Sequence, residues 1–311
     1  MKSRIIIYHG PHCSDGFTGA WIAHNALRES EEDVMVVYYP THYGEEKIPD
    51  VVGYDEVILI DFCYPVDVLH NMCMEAGQVF LLDHHKTTEE ALEEYREAGV
   101  SLPDNLTAHI KFDVSGAVIA WQFFTNTLGV VKGWDSDMPT LIKYVSDRDL
   151  YNWALPYSRE ISAYIMTAKK TFERWDALSA ELENDFQGVV EKGKIILETR
   201  MSIVNEIVSN TACYAWIGKY PVWTCNSPTL YSDAADALIA EKAFIDRVAV
   251  CYSFTSNHVK FSVRSAEGCY VTAKELAEYF GGGGHVHAAG FELSHEEFFD
   301  LVTFMPGKNI I

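Results

Sequence analysis

Short apolar runs and amphipathic stretches alternate through the first half of the chain. Residues 4–8, 34–39, 56–60 and 78–82 are rich in Val, Ile, Leu and Tyr and are bounded by turn formers, so they predict buried strands. Between or after them, residues 17–27, 65–75 and 88–98 carry apolar positions at helical spacing. That alternation predicts an α/β domain, a parallel sheet with helices on both faces. A further strand is predicted over 108–112 and helices over 116–127 and 139–145. From 175 to 209 the pattern is one long helix or two stacked ones, with Ile195, Ile196, Ile203, Val204 and Ile207 at helical spacing. Two β-rich runs, 247–253 and 259–264, predict a hairpin, and a helix over 273–279 leads into a glycine run. The expected organisation is an N-terminal domain over 1–175, a helical connector over 176–210 and a smaller α+β domain over 211–311.

Composition narrows the class. A chain of 311 residues with 48% hydrophobic content can bury two ordinary cores and is not disordered. The apolar run 5–7 is too short for a membrane span or a secretory leader, and no other segment suggests either. The seven cysteines are scattered without paired spacing, which predicts a reducing cytoplasm and no disulfide framework. A net charge of -21 disfavours a long duplex as ligand, because affinity for polyanions comes largely from Lys and Arg neutralising phosphates. A small phosphate ester stays compatible with that charge, since bound cations reverse the local field.

Chemistry-bearing residues gather where the predicted strands end. His9-Gly10-Pro11-His12-Cys13-Ser14-Asp15-Gly16 joins the first strand to the first helix, Asp61 ends the third strand, and Asp83-His84-His85 ends the fourth. Ser146-Asp147-Arg148-Asp149 follows a helical stretch. Singly, each has an ordinary explanation: Asp15 as a helix N-cap, Asp61 as a turn former, 146–149 as a solvated face. Together they bring imidazole nitrogen and carboxylate oxygen from several segments to the strand ends of one sheet, where sites form in open α/β folds. That donor set suits a pair of Mn²⁺, Fe²⁺, Co²⁺ or Zn²⁺ ions better than Mg²⁺ or Ca²⁺. Two such ions can activate water and neutralise a phosphoryl group.

Asp83-His84-His85 after an apolar strand resembles the motif of the DHH phosphoesterases. The order His9, Asp15, Asp61, Asp83-His84-His85, Asp147 is similar to that family's motifs along its first domain. The run Gly281-Gly282-Gly283-Gly284-His285-Val286-His287-Ala288-Ala289-Gly290 resembles the glycine–histidine motif of the DHH-associated C-terminal domain. The resemblance covers nearly the whole chain. It implies a parallel-sheet DHH domain, a long connecting helix and a smaller α+β substrate-binding domain, with the active site in the interdomain cleft.

By residue, the resemblance implies metal ligation by His9, Asp15, Asp61, His84 and Asp147, with Asp61 bridging two ions. It implies that His85 faces the substrate phosphate and that Asp83 orients the histidine pair, so that Asp61, Asp83 and His85 form the catalytic group. Arg264, His285 and the glycines Gly282, Gly283 and Gly284 are implied to hold the substrate. The implied reaction is phosphoester hydrolysis by a metal-activated hydroxide, with Mn²⁺ the first choice of cofactor. Short nucleotides are the implied substrates: nanoRNA, linear dinucleotides or nucleoside bisphosphates. A single-strand exonuclease of the RecJ type is the alternative, but it would need a basic channel; a non-catalytic interaction protein is a third reading. The expected partners are therefore small nucleotides, with no membrane and no long duplex, and a homo-oligomer is left open. One departure stands out, because many members of the family carry an acid where this chain has Cys13. Three readings compete there. Cys13 ligates as a thiolate, favouring Zn²⁺, Fe²⁺ or Co²⁺; His12 takes the place; or the first metal site is weakened. The first is preferred.

Overall fold

In a computed structural model, which describes residues 2–28, 34–45, 47–127, 137–243 and 246–305, the chain divides into two compact units, Met1–Ile196 and Leu197–Ile311. The first is built on strands β1 (Lys2–His9), β2 (Val34–Thr41), β3 (Glu56–Ile60), β4 (Gln78–Asp83) and β5 (Leu106–Ile110). They form a five-stranded sheet in the order β2-β1-β3-β4-β5, every neighbouring pair parallel. Parallel strands need both faces covered, and the run Val57-Ile58-Leu59-Ile60 of β3 is buried throughout.

Alternation along each strand sends side chains to two separate cores. Ile6, Tyr8, Ile58 and Ile60 pack with α1 (Ser14–Arg28), α4 (Gly116–Gln122), α5 (Thr140–Asp149), α6 (Ser158–Thr167) and α7 (Phe172–Asn184). Ile5, Ile7, Val57 and Leu59 pack on the other side, against Leu69 and Met72 of α2 (Val66–Glu75) and Leu92 of α3 (Lys86–Glu97). The predicted helix over 116–127 ends as a π-turn, Phe123–Thr127. The predicted stretch 175–209 is two helices, α7 and α8 (Phe186–Thr211), separated at Asp185. Helix α8 is the long helix that runs across the division between the units.

The second unit carries a seven-stranded sheet in the order β10-β11-β9-β8-β7-β6-β12. Its elements are β6 (Cys213–Ile217), β7 (Tyr220–Asn226), α9 (Tyr231–Glu241), β8 (Val248–Phe254), β9 (Val259–Ser265), α10 (Ala273–Tyr279), β10 (Gly283–His285), β11 (Ala288–Leu293), α11 (His295–Leu301) and β12 (Val302–Phe304). The predicted hairpin is β8–β9, antiparallel; β7 and β8 run parallel, so the sheet is mixed. Together the two units make the α/β architecture expected of a DHH domain followed by its associated domain. Among the described residues no helix is long and apolar enough to cross a membrane, and all seven cysteines are free thiols.

The sheet order positions the chemistry. The chain leaves β1 toward β2 on one side and later returns to β3 on the other, so a crevice opens beyond the carboxyl ends of β1 and β3. His9 ends β1, Asp61 follows β3 and Asp83 ends β4, and these strands are neighbours in the sheet.

Candidate metal centre

Backbone geometry turns the polar side chains toward one point. Helix α1 starts so close to β1 that a Cβ on Gly16 would collide with the His9 carbonyl, which folds Cys13 and Asp15 back over the strand ends. Asp61 adopts a left-handed conformation (φ 57°), while its N–H donates to the Leu82 carbonyl at 2.9 Å. Asp tolerates that region better than bulkier residues, and the twist there aims its carboxylate away from the strand direction. Gly116 lets the start of α4 approach. A methyl at that position would stand 2.7 Å from Asp61 Cβ and 2.9 Å from Asp15 Oδ2. The Ala117 N–H then donates to both Asp15 oxygens at 3.2 Å, at a helix N-terminus that favours negative charge.

Asp61 stands at the centre with its two oxygens facing different donors. Oδ2 lies 3.4 Å from His9 Nδ1 and accepts the Cys13 thiol at 3.2 Å. Oδ1 lies 3.1 Å from His84 Nε2 and 4.0 Å from His85 Nδ1. His84 Nε2 is also 3.4 Å from Asp149 Oδ2. Three overlapping groups of candidate ligand atoms result: His9, Cys13 and Asp61; Asp61, His84 and His85; Asp15, His84 and Asp149. In each, the atoms lie within 4.8 Å of one another. Asp83 sits behind them, accepting from His85 Nδ1 at 2.7 Å, Thr88 Oγ1 at 2.6 Å and the His84 N–H at 2.8 Å. That network fixes how the His85 ring is turned.

The clustered acids raise one another's pKa values. Burial and the neighbouring Asp61 carboxylate push Asp15 up to about 7. Burial, then Asp15 and Asp61, push Asp149 well above the carboxylate range. Cys13 is driven up in the same way, by burial first and then by Asp61. For Asp61 burial also works upward, but hydrogen bonds from His84 and His9 outweigh it and hold the group low. Burial lowers His84, yet the Asp61 hydrogen bond and the Asp149 charge raise it to about 9. The imidazolium and the extra protons thus stand where positive charge is needed, and the nitrogen, thiol and carboxylate donors fit divalent transition ions.

A pH-dependent metal effect follows. Groups whose folded pKa is raised stabilise the fold below their unfolded values, and that contribution is lost as pH climbs through the folded values. For Asp15 the loss spans the ordinary carboxylate value to about 7, and for His84 it extends to about 9. The metal-free protein should therefore lose stability from pH 5 to pH 8, and a divalent ion should replace the protons. The Mn²⁺-minus-EDTA difference in melting temperature is expected to be small near pH 5 and about 5 °C or more near pH 8. Scanning calorimetry at both pH values checks it; a difference independent of pH contradicts it.

The structure does not bring all the residues singled out in the sequence to this point. His9, Cys13, Asp15, Asp61, His84 and His85 converge. Asp147 does not. Its buried carboxylate accepts the Ala154 N–H at 3.0 Å, the Leu155 N–H at 3.4 Å and the Ser158 hydroxyl, and Asp149 stands at the cluster instead. His12 is exposed and outside the groups, whereas Cys13 is within one. In the second unit, Arg264 donates to Ser232 Oγ at 2.6 Å and to the Val263 carbonyl at 2.9 Å. The end of the glycine run pairs with β11. A Cβ on Gly282 would strike the Gly290 carbonyl and Phe291, and Gly284 has φ 139° with Ala289 behind it, so these glycines let β10 lie against β11. Gly283 faces open space and His285, at the end of β10, is exposed. Sequence reasoning also missed Tyr43, whose ring centroid is 5.5 Å from His9, 5.8 Å from His85 and 4.8 Å from Phe62.

With this geometry in hand, likeness to solved structures decides the fold. The chain superposes on the pGpG-specific phosphodiesterase PggH from Vibrio cholerae with a TM-score of 0.52, 15% identity and 96% of each chain covered. It superposes on RecJ from Thermus thermophilus, solved in complex with Mn²⁺, with a TM-score of 0.51 and 17% identity. That match covers 96% of this chain and 50% of RecJ. This chain has the DHH-phosphoesterase fold. In sequence it is 26% identical over 303 residues to the uncharacterized protein R106 of Acanthamoeba polyphaga mimivirus, spanning 93% of this chain and 67% of that protein. No family model matches the sequence.

Proposed function

We propose that the protein is a metal-dependent phosphoesterase that hydrolyses short nucleotide substrates: nanoRNA, linear dinucleotides or nucleoside bisphosphates. The observation that carries this reading is the division of Asp61, one oxygen toward His9 and Cys13 and the other toward His84. A carboxylate so placed would bridge two divalent ions, with His9 and Cys13 on one side and Asp15, His84 and Asp149 on the other. Such ions supply positive charge to a phosphoryl group and make water more acidic. Mn²⁺ is the proposed physiological choice, in keeping with the Mn²⁺ complex of RecJ.

The chain's own side chains complete the site. His85, anchored through Nδ1 by Asp83, presents Nε2 to a phosphoryl oxygen and stabilises the charge that develops there. Asp83 holds that tautomer in place. A short substrate is supported by the net charge of -21, which disfavours long polyanions, and by PggH, a phosphodiesterase specific for pGpG.

A 5′-labelled RNA series from the dinucleotide to about twenty-four nucleotides, digested in Mn²⁺, tests the reading, with the Asp83→Ala/His84→Ala variant as blank. The rate is expected to fall steeply beyond a few nucleotides. Efficient digestion of the longest strands would replace this reading with the RecJ-type exonuclease. No cleavage of RNA, linear dinucleotides or nucleoside bisphosphates would remove the hydrolase reading altogether.

A further inference from the structure

Beyond the metal centre, the turn that leaves α5 carries two bulky residues in left-handed backbone conformations. Helix α5 closes with paired hydrogen bonds, Tyr151 N–H to the Arg148 carbonyl at 3.0 Å and Asn152 N–H to the Asp147 carbonyl at 2.9 Å. This is the Schellman arrangement, in which the residue at the place of Tyr151 turns left-handed and is ordinarily glycine. Here it is tyrosine at φ 58°, and Trp153 follows at φ 52°. Bulky side chains are strained in that region.

Of the two rings, Tyr151 stands outside the core and Trp153 is partly buried. Tyr151 is 51% exposed. Its ring meets Trp153 edge-on, with centroids 5.3 Å apart and planes at 72°. The Arg159 guanidinium lies over the Trp153 ring, 4.6 Å from its centroid, and the indole N–H has no hydrogen-bond partner among the described residues. Asp147 clamps the turn from within, through Ala154, Leu155 and Ser158. The fold thus holds a half-exposed tyrosine on a turn with two left-handed aromatic residues. That tyrosine lies two residues beyond Asp149, whose Oδ2 is 3.4 Å from His84 Nε2. Residues two apart have Cα atoms within about 7 Å, similar to the reach from a nucleotide's phosphorus to its base.

We propose that Tyr151, backed by Trp153 and Arg159, is a stacking platform for the nucleobase of a nucleotide whose phosphate occupies the metal centre. This rests on the nucleotide reading given above. The platform selects for a planar heterocycle without reading its edge, so it tolerates any base. Asp147 is a positioning residue that holds the platform in register with Asp149.

The test uses 5′-AMP and ribose 5-phosphate, which share the phosphate and sugar but differ in the base. Binding of each to the Mn²⁺-loaded full chain is measured by titration calorimetry, beside the melting temperature. The wild-type protein should prefer 5′-AMP. Tyr151→Gly should weaken 5′-AMP about tenfold or more, leave ribose 5-phosphate unchanged, and hold or raise the melting temperature, because glycine suits the left-handed position. Tyr151→Phe should retain 5′-AMP binding. Equal loss of both ligands with a lowered melting temperature would make Tyr151 structural and overturn the platform. So would a wild-type protein that binds the two alike, or binds neither. Base-dependent binding through Tyr151 in a protein that cleaves no phosphoester would retire the proposed reaction and leave the platform standing.

Discussion

Asp61→Asn is expected to lower Mn²⁺-dependent hydrolysis by about 10³-fold or more while the chain stays folded. The size comes from the several kcal/mol that paired cations contribute to charge stabilisation in phosphoryl transfer, at about 1.4 kcal/mol per decade of rate. Asparagine accepts the left-handed backbone that Asp61 adopts at φ 57°, so the strand end is kept. It offers one carbonyl oxygen where two carboxylate oxygens faced separate donor groups. A divided donor set should lose metal as well as rate. Circular dichroism, metal content after dialysis and initial rates together check this. A folded variant with full metal content and less than tenfold loss of rate would show that Asp61 bridges nothing.

The second large effect separates two acids on one turn. Asp149→Asn should depress hydrolysis about 100-fold or more, since it removes an oxygen from the group formed with Asp15 and His84. It should not lower the melting temperature in EDTA. Burial, Asp15 and Asp61 hold that carboxyl toward its protonated form in the metal-free protein, and asparagine keeps the neutral group. Asp147→Ala should do the opposite and cost about 3 kcal/mol of stability, because Ala154, Leu155 and Ser158 lose a buried charged acceptor. Urea unfolding and rate measurements on both variants read the contrast. If Asp147→Ala keeps wild-type stability but loses metal, the two residues have exchanged roles.

That pair shows where the sequence was legible and where it was not. Successive helical residues are about 100° apart, so acids at 147 and 149 point to nearly opposite sides and only one can face a given site. The string Ser146-Asp147-Arg148-Asp149 does not say which. A signal existed: buried Leu141 and Val145 lie at steps of four that lead to Asp149, placing it on the core-facing stripe. Asp147, three residues past buried Tyr144, is itself buried, so that row points to Asp149 without excluding Asp147.

The parallel sheet was readable because buried strands such as 56–60 are continuous apolar runs, and α10 was readable from its pattern over 273–279. Helix α6 escaped notice. It is short and starts after Tyr157 in a left-handed conformation, without a side-chain cap to announce it. Strand β7 carries Pro221, a residue that argues against a strand, yet it pairs with β6 and β8. The glycine run pointed to close backbone approach, but the surface approached at Gly282 and Gly284 is the chain's own β11.

The most direct test of a paired-cation centre is anomalous scattering at the manganese edge from crystals grown with Mn²⁺. Two peaks are predicted, one beside His9, Cys13 and Asp61 Oδ2, the other beside Asp15, His84 and Asp149, with the Asp61 carboxylate between them. A single peak, or peaks remote from Asp61, would contradict the account.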